Sequence, residues 1–320
     1  MIRITIPINN DLRFIDLVDS LIKADIDKYL DKVSVLLSLN APTEKVKDTV
    51  NTLLNKKPDL IRVISTGEKG IAAAKNNAIK QFLNSTSHFL FIDSDCVVNT
   101  NYIKNLVALI NDNKLTEVFR GDVVFISDTN KLFSILNCKL RNSAYKIRTT
   151  TLLSPNLGIS SSVFEKAGLL NQNLKAGEDL EFSQRVTEFN IYSSFFPELV
   201  IYHRDDLHFI AKTLKTIANY GKDRGFRVYR RSLLENKSFP ITLAHTVLNA
   251  LKIQNYWEKE PKFTLSYFFF CIGYLLVSRI SALKSLFYWK NFKRNFFLEV
   301  DMIDGTKRKI KYLPPEYDLP

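Results

Sequence analysis

Two carboxylates one residue apart, Asp93-Ser94-Asp95, close the apolar run Phe89-Leu90-Phe91-Ile92. An apolar run of this length reads as a buried strand. The charges mark its end, because unpaired carboxylates are costly to carry into a core. At the carboxyl edge of a strand in an α/β protein they stand where ligands bind. Two hard oxygen donors this close suit a divalent cation, Mg²⁺ or Mn²⁺, carrying phosphates; the competing reading is an Asx turn. A second acidic pair lies in Gly177-Glu178-Asp179, where a helical pattern starts. Carboxylates there cap a helix, or, facing a pocket, act as a general base toward an attacking hydroxyl. Arg185 either orients or neutralises that pair or makes an ordinary ion pair. His203 ends the run Phe196–Tyr202 and offers a nitrogen to the same cation or to a diphosphate, or is a plain strand-end residue. Lys75, in Gly70-Ile71-Ala72-Ala73-Ala74-Lys75-Asn76, either reaches a nucleotide or is a solvated helix lysine.

Alternating strands and helices position these residues. Strand patterns cover Ile2–Ile6, Val33–Leu39, Leu60–Ser65, Phe89–Ile92 and Glu117–Ile126; helical patterns cover Asp11–Ala24, Glu44–Asn55, Ile71–Leu83, Tyr102–Asn111 and Leu180–Phe189. Ile191–Tyr202 reads as extended. This alternation predicts a mostly parallel sheet with helices on both faces. The 320 residues, 46% hydrophobic and 24% charged, suffice for one large domain with an appendage. Cys96, Cys138 and Cys271 are far apart, without metal-ligand spacing, which points to a reducing compartment. The start, Met1–Pro7, lacks the long apolar stretch of a signal peptide.

The net charge of +12 is concentrated in the C-terminal third: residues 1–203 hold 24 basic and 22 acidic residues, and 204–320 hold 21 and 11. A basic region of this kind attracts phosphates, on a lipid surface or on a pyrophosphate-bearing ligand. Leu207–Tyr220 reads as a helix, and Gly221–Arg231 as a basic run with Arg224 and Arg227. That run either holds an acceptor's pyrophosphate or is a solvated loop. Phe263–Ser278 is uncharged but short of the about 20 residues that span a bilayer. With the Lys/Arg–aromatic stretch Leu283–Phe297 after it, the reading is an interfacial helix contacting anionic lipid through 263–297, against the alternative of a buried core helix. The expected location is the cytoplasm, at the inner face of the cell membrane. Leu298–Tyr312 reads as a β-hairpin around Asp304-Gly305. Nucleic-acid binding is not expected, since the basic residues are interleaved with apolar runs.

The series Pro7-Ile8-Asn9-Asn10, Gly70 with Lys75-Asn76, Asp93-Ser94-Asp95, Asn156-Leu157-Gly158-Ile159, Phe164–Leu169, Gly177-Glu178-Asp179, Arg185 and His203 resembles the inverting, nucleotide-sugar-dependent glycosyltransferases of family 2. The resemblance implies the GT-A fold, Rossmann-like, over a catalytic domain at 1–205, followed by a mainly helical C-terminal region at 206–320 that ends in the hairpin. It implies that Asp95 ligates the cation and that Asp93 contacts the ribose or the cation. Asp179 matches the catalytic base, supported by Glu178. Pro7, Asn10, Asn40 and Lys75 match the nucleotide site, with Lys75 where an arginine is usual. His203 matches a histidine that in some members holds the metal–diphosphate. Arg185, Arg224 and Arg227 are candidates for acceptor or phosphate contacts. The stretch Leu39–Thr43 lacks the aspartates that commonly contact the base, so the nucleotide is left open. The implied activity is transfer of one sugar to a hydroxyl of a glycan or lipid-linked glycan. No Gln-x-x-Arg-Trp motif of the processive synthases occurs. The alternatives are a nucleotidyl or phosphoryl transferase on a similar sheet, or a non-catalytic membrane-binding module.

Overall fold

The computed structural model describes residues 1–147, 152, 154–174, 177–205, 210–244, 265–291 and 298–310. Strands β1 (Ile2–Ile8), β2 (Val33–Asn40), β3 (Ile61–Thr66) and β4 (His88–Ile92) are parallel neighbours. The three-residue strand β5 (Cys96–Val98) follows at once in the chain. β7 (Asn156–Ser160) runs antiparallel between β4 and β6 (Val118–Ser127), while β8 (Ser194–Asp205) pairs parallel with β6 and antiparallel with β5. The order is β3-β2-β1-β4-β7-β6-β8-β5. Only Asp93-Ser94-Asp95 separates β4 from β5, although four strand spacings lie between them in the sheet. Those spacings would take about 19 Å in a flat sheet, beyond the about 14 Å that the connecting residues can reach. The sheet therefore curls until its β8–β5 edge meets the end of β4, and the acidic turn sits at that closure.

Alternation along the strands sorts the two faces. Ile2, Ile4, Ile6 and Ile8 of β1, with Val33, Val35, Leu37 and Leu39 of β2, face helices α1 (Phe14–Lys23) and α2 (Glu44–Lys56). Phe89 and Phe91 of β4 point the other way, toward α3 (Ile71–Phe82), α6 (Ser161–Ala167) and α7 (Glu178–Val186); α4 (Tyr102–Asn111) covers the first face. All seven residues of β1 are buried, as expected of a strand covered on both sides. Asn156 staples the curl: it accepts a hydrogen bond from the Tyr102 hydroxyl at 2.6 Å and donates to the carbonyls of Leu199 (2.8 Å) and Asp122 (3.1 Å). The β6–β8 register shifts at Gly121/Asp122, and a Cβ on Gly121 would lie 2.2 Å from both the Asn156 amide and the Leu199 carbonyl.

Three helices roof the open end of the sheet: α5 (Leu132–Ile147), α8 (Ile210–Leu234) and α9 (Leu265–Trp289). The sequence pattern shows no element at α5, whose apolar positions are mixed with Asn, Lys and Arg. The basic run after Gly221 is neither loop nor turn; it is the second half of α8. Its glycines are where α9 crosses: a Cβ on Gly221 would lie 2.3 Å from the Ser278 carbonyl, and one on Gly225 2.5 Å from that of Ala282. Glycines that read as helix breakers are there for close packing. α9 continues through Arg279, joining 265–278 and 283–289 of the two stretches into one helix, while 263–264 and 292–297 lie outside the described residues. Among the described residues no helix is long and apolar enough to cross a membrane. Strands β9 (Glu299–Asp301) and β10 (Lys307–Lys309) form the expected hairpin. It lies against the sheet domain: Leu169 N–H donates to the Asp301 carbonyl at 2.9 Å, and Arg308 pairs with Glu188 at 3.0 Å.

Candidate active site

The ends of β1, β2, β4 and β8, with the starts of α3 and α7, surround a cleft of about 800 Å³. Of the residues singled out in the sequence, Pro7, Asn10, Asn40, Asp93, Asp95, Glu178, Asp179 and His203 all line it. Pro7 is the last residue but one of β1, and Asn40 closes β2 and accepts the Gly70 N–H at 3.1 Å, fixing the entry into α3. Asn10 accepts the Thr43 N–H at 2.9 Å.

At the closure of the sheet, Cys96 of β5 registers opposite His203 of β8. This brings His203 Nε2 to 3.5 Å from Asp95 and 3.9 Å from Asp93. The Arg204 N–H donates to the Asp95 carbonyl at 3.1 Å and holds the turn in place. Burial pushes Asp95 up to about 6, although Arg13 and Arg141 pull the other way. Asp93 is also raised, first by burial and against the pull of Lys75. Its Oδ1 is buried with no hydrogen-bond partner among the described residues. A divalent cation fits this donor set, since it would satisfy the orphaned oxygen and relieve two close carboxylates. Cys96 lies within 4.8 Å of the Asp95 and His203 donors, and burial pushes its thiol far up; a hard cation favours oxygen donors over a soft thiol. The oxygen and imidazole donors that remain suit Mg²⁺ or Mn²⁺.

Across the cleft α7 starts at Gly177, which takes a left-handed φ of 77°. Asp179 accepts the N–H groups of Ser154 at 2.9 Å and Leu180 at 2.8 Å, so its carboxylate is oriented by the backbone. Burial, then the neighbouring Glu178, raise Asp179 to about 7, the range in which a carboxylate works as a general base near neutrality. Glu178 is buried and pairs with Lys75 Nζ at 2.8 Å. Lys75 is 1% exposed, also donates to Ser154 at 2.8 Å, and does not line the cleft. The nucleotide contact expected of Lys75 thus gives way to a structural one: it anchors the acidic pair from beneath.

Arg185 is likewise corrected. It is fully buried on the far side of α7, forked onto Glu181 at 2.8 and 2.9 Å and donating to the Ala167 and Leu169 carbonyls, so it is out of reach of an acceptor. Arg230 of α8 reaches the same Glu181. Arg224 and Arg227 are half-buried on α8 and do not line the cleft. The α8 residues that do are Thr213, Thr216, Ile217 and Tyr220, one helix face.

The structure adds residues that the sequence reading passed over. Arg141 and Asn137 enter the cleft from α5; Arg141 lies 3.9 Å over the Phe125 ring, with its charge felt at Asp95. The available signal was that α5 contains no acidic residue. Arg13 forks onto Asp11 and reaches Asp95 at 3.5 Å. Asp223 of α8 is buried behind Gly177, and burial raises it to about 8.

The profile described as "Glycosyl transferase family 2" matches residues 4–168. No curated protein matches the sequence. Among solved structures, S. aureus TarS 1-349 in complex with UDP-GlcNAc is similar over 98% of this chain and 97% of its own, at 15% identity and a TM-score of 0.52. Mannosyltransferase PcManGT from Pyrobaculum calidifontis, in complex with GDP-Man and Mn²⁺, is similar over 90% and 73%, at 14% identity and 0.51. The chain spans only 44% of GalNAc-T7, crystallised with UDP, GalNAc and Mn²⁺, covering 64% of its own length at 17% identity and 0.46, and 55% of a longer TarS structure. At these identities the likeness is one of fold, the curled sheet with its helices.

Proposed function

This chain belongs to glycosyl transferase family 2, and we propose that its cleft moves one sugar from a nucleotide-sugar to an acceptor hydroxyl by single displacement. The observation that carries the reading is the meeting of Asp93, Asp95 and His203 with the backbone-oriented Asp179 around one cleft. Support for the donor class comes from the UDP-GlcNAc and GDP-Man complexes of the two similar structures, and support for a cation from the Mn²⁺ in one of them.

Asp95, Asp93 and His203 would hold the cation, Mg²⁺ or Mn²⁺, which when bound supplies Lewis-acid stabilisation of the diphosphate leaving group. Pro7, Asn10 and Asn40 bind the nucleoside part, with Asp93 at the ribose or the cation. Arg141 adds a fixed positive charge beside the diphosphate. Asp179 takes the proton of the acceptor hydroxyl as that oxygen attacks the anomeric carbon. The bond from that carbon to the diphosphate breaks on the opposite face, so the anomeric configuration inverts. Burial, with the neighbouring Glu178 held by Lys75, keeps Asp179 basic enough to act near neutral pH. The acceptor enters along Thr216 and Tyr220 of α8, as a hydroxyl of a glycan or lipid-linked glycan, and α9 makes the peripheral membrane contact.

A panel of nucleotide-sugars incubated with Mn²⁺ or Mg²⁺ tests the reading. The expected products are nucleoside diphosphate and a sugar of inverted anomeric configuration, with activity lost to a chelator and restored by the cation. Pyrophosphate release, as from a nucleotidyl transferase, or a retained anomer would overturn it.

A further inference from the structure

We infer that the outer face of α9, together with the start of α5, docks on an anionic lipid surface; this rests on the membrane contact in the reading above and deepens it by assigning its face and its bearing on the cleft. Phe269, Leu276, Ile280 and Phe287 are all more than half exposed. Their spacing puts them within about 40° of one another around the helix, a stripe about 27 Å long. Leu132 and Phe133 of α5 are also exposed, beside the N-terminal end of α9, where Phe133 meets the Phe270 ring at 6.2 Å. An apolar stripe of this length is more than the scattered exposure usual for a soluble surface. The opposite side of α9 carries Tyr274 into the cleft.

Charge decides between occupants. Arg141 of α5 and Arg230 of α8 are turned inward, to the cleft and to Glu181, and the one acid of α5, α8 and α9, Asp223, is buried, so the charge beside the stripe is that of its own lysines. Exposed Lys284 and Lys290 flank the stripe. A second copy seated on this face would oppose two surfaces of the same sign, with no exposed carboxylate on these helices to pair across the contact. Anionic head groups complement the lysines, while the rings and aliphatic side chains enter at head-group depth. Since α8 and α9 form one wall of the cleft, docking by this face holds that wall at the bilayer surface, where a lipid-linked acceptor resides.

The full chain is sedimented with phosphatidylcholine vesicles and with vesicles doped with phosphatidylglycerol, alongside the double variant Leu276→Glu/Ile280→Glu. Both positions are exposed, and unchanged circular dichroism and nucleotide-sugar hydrolysis report an intact fold and cleft. Binding is expected to the doped vesicles, to weaken with salt, and to fall about ten-fold or more in the double variant. Three results would overturn the inference: no binding, equal binding to neutral vesicles, or equal binding by the variant. So would a lipid-free dimer that Leu276→Glu dissociates, or exchange protection of the stripe in free protein, which would assign the face to a second copy or to another segment of the chain. Hydrolysis without vesicles reports on the catalytic reading separately.

Discussion

At the scale of single residues, position matters more than identity. Asp179 and Glu178 are adjacent carboxylates, yet one is oriented toward the cleft by two backbone N–H groups and the other is locked to Lys75. The proposal therefore separates them. Asp179→Asn should lower the transfer rate by about 10²–10⁴-fold, and Glu178→Gln should lower it less, as read by initial rates at saturating donor. Asp179 acts ionised, and its folded value lies near 7. The acid limb of kcat/KM is thus expected to bend near pH 7 and to fall about ten-fold per unit below it. A flat profile from pH 5 to 8 would remove Asp179 as the base. Arg141 presents its charge beside Asp95 without lying in any sequence motif. Arg141→Ala should raise the donor KM by about ten-fold, the scale of one lost charge-assisted hydrogen bond, while circular dichroism stays unchanged.

The helices and strands are joined by a few contacts that tolerate little change. Gly121 sits where β6 and β8 shift register against the Asn156 staple. Gly121→Ala should force the strands apart, cost about 1–3 kcal/mol by denaturant unfolding, and disturb the acidic turn that the curl closes. On the other side α7 is held from behind by Glu181, which serves both Arg185 and Arg230. Glu181→Ala leaves two guanidiniums buried without their carboxylate, and a loss of about 3–5 kcal/mol is expected. The first-half elements other than β5 and α5 were readable from their periods to within a few residues. The second half of α8 and the run of α9 through Arg279 were not, because Gly221 and Gly225 serve a helix crossing, and a crossing partner 57 residues away leaves no local signal.

For the molecule as a whole, the division into 1–205 and 206–320 is a proposal about cooperativity. Glu181–Arg230, Glu188–Arg308 and the Leu169–Asp301 hydrogen bond cross that boundary. A chain ending at 205 should be insoluble or show a broad, low-temperature melt, since it loses these partners and uncovers the wall of the cleft; a sharp native-like transition would show two independent units. The sequence alone determined the strand–helix alternation, the two acidic motifs, His203 and the family resemblance, because periodicity and strand-end charges are local and survive without a fold. It placed Lys75 and Arg185 at the chemistry, and there only the tertiary structure could decide. Whether a buried cation serves a ligand or the fold depends on the partners that packing adds, here Glu178 for Lys75, and for Arg185 the Ala167 and Leu169 carbonyls beside its i,i+4 partner Glu181. Arg141, Tyr220 and Tyr274 came to the cleft by the same route, from helices whose approach is set by the curl of the sheet and by two glycines at a crossing.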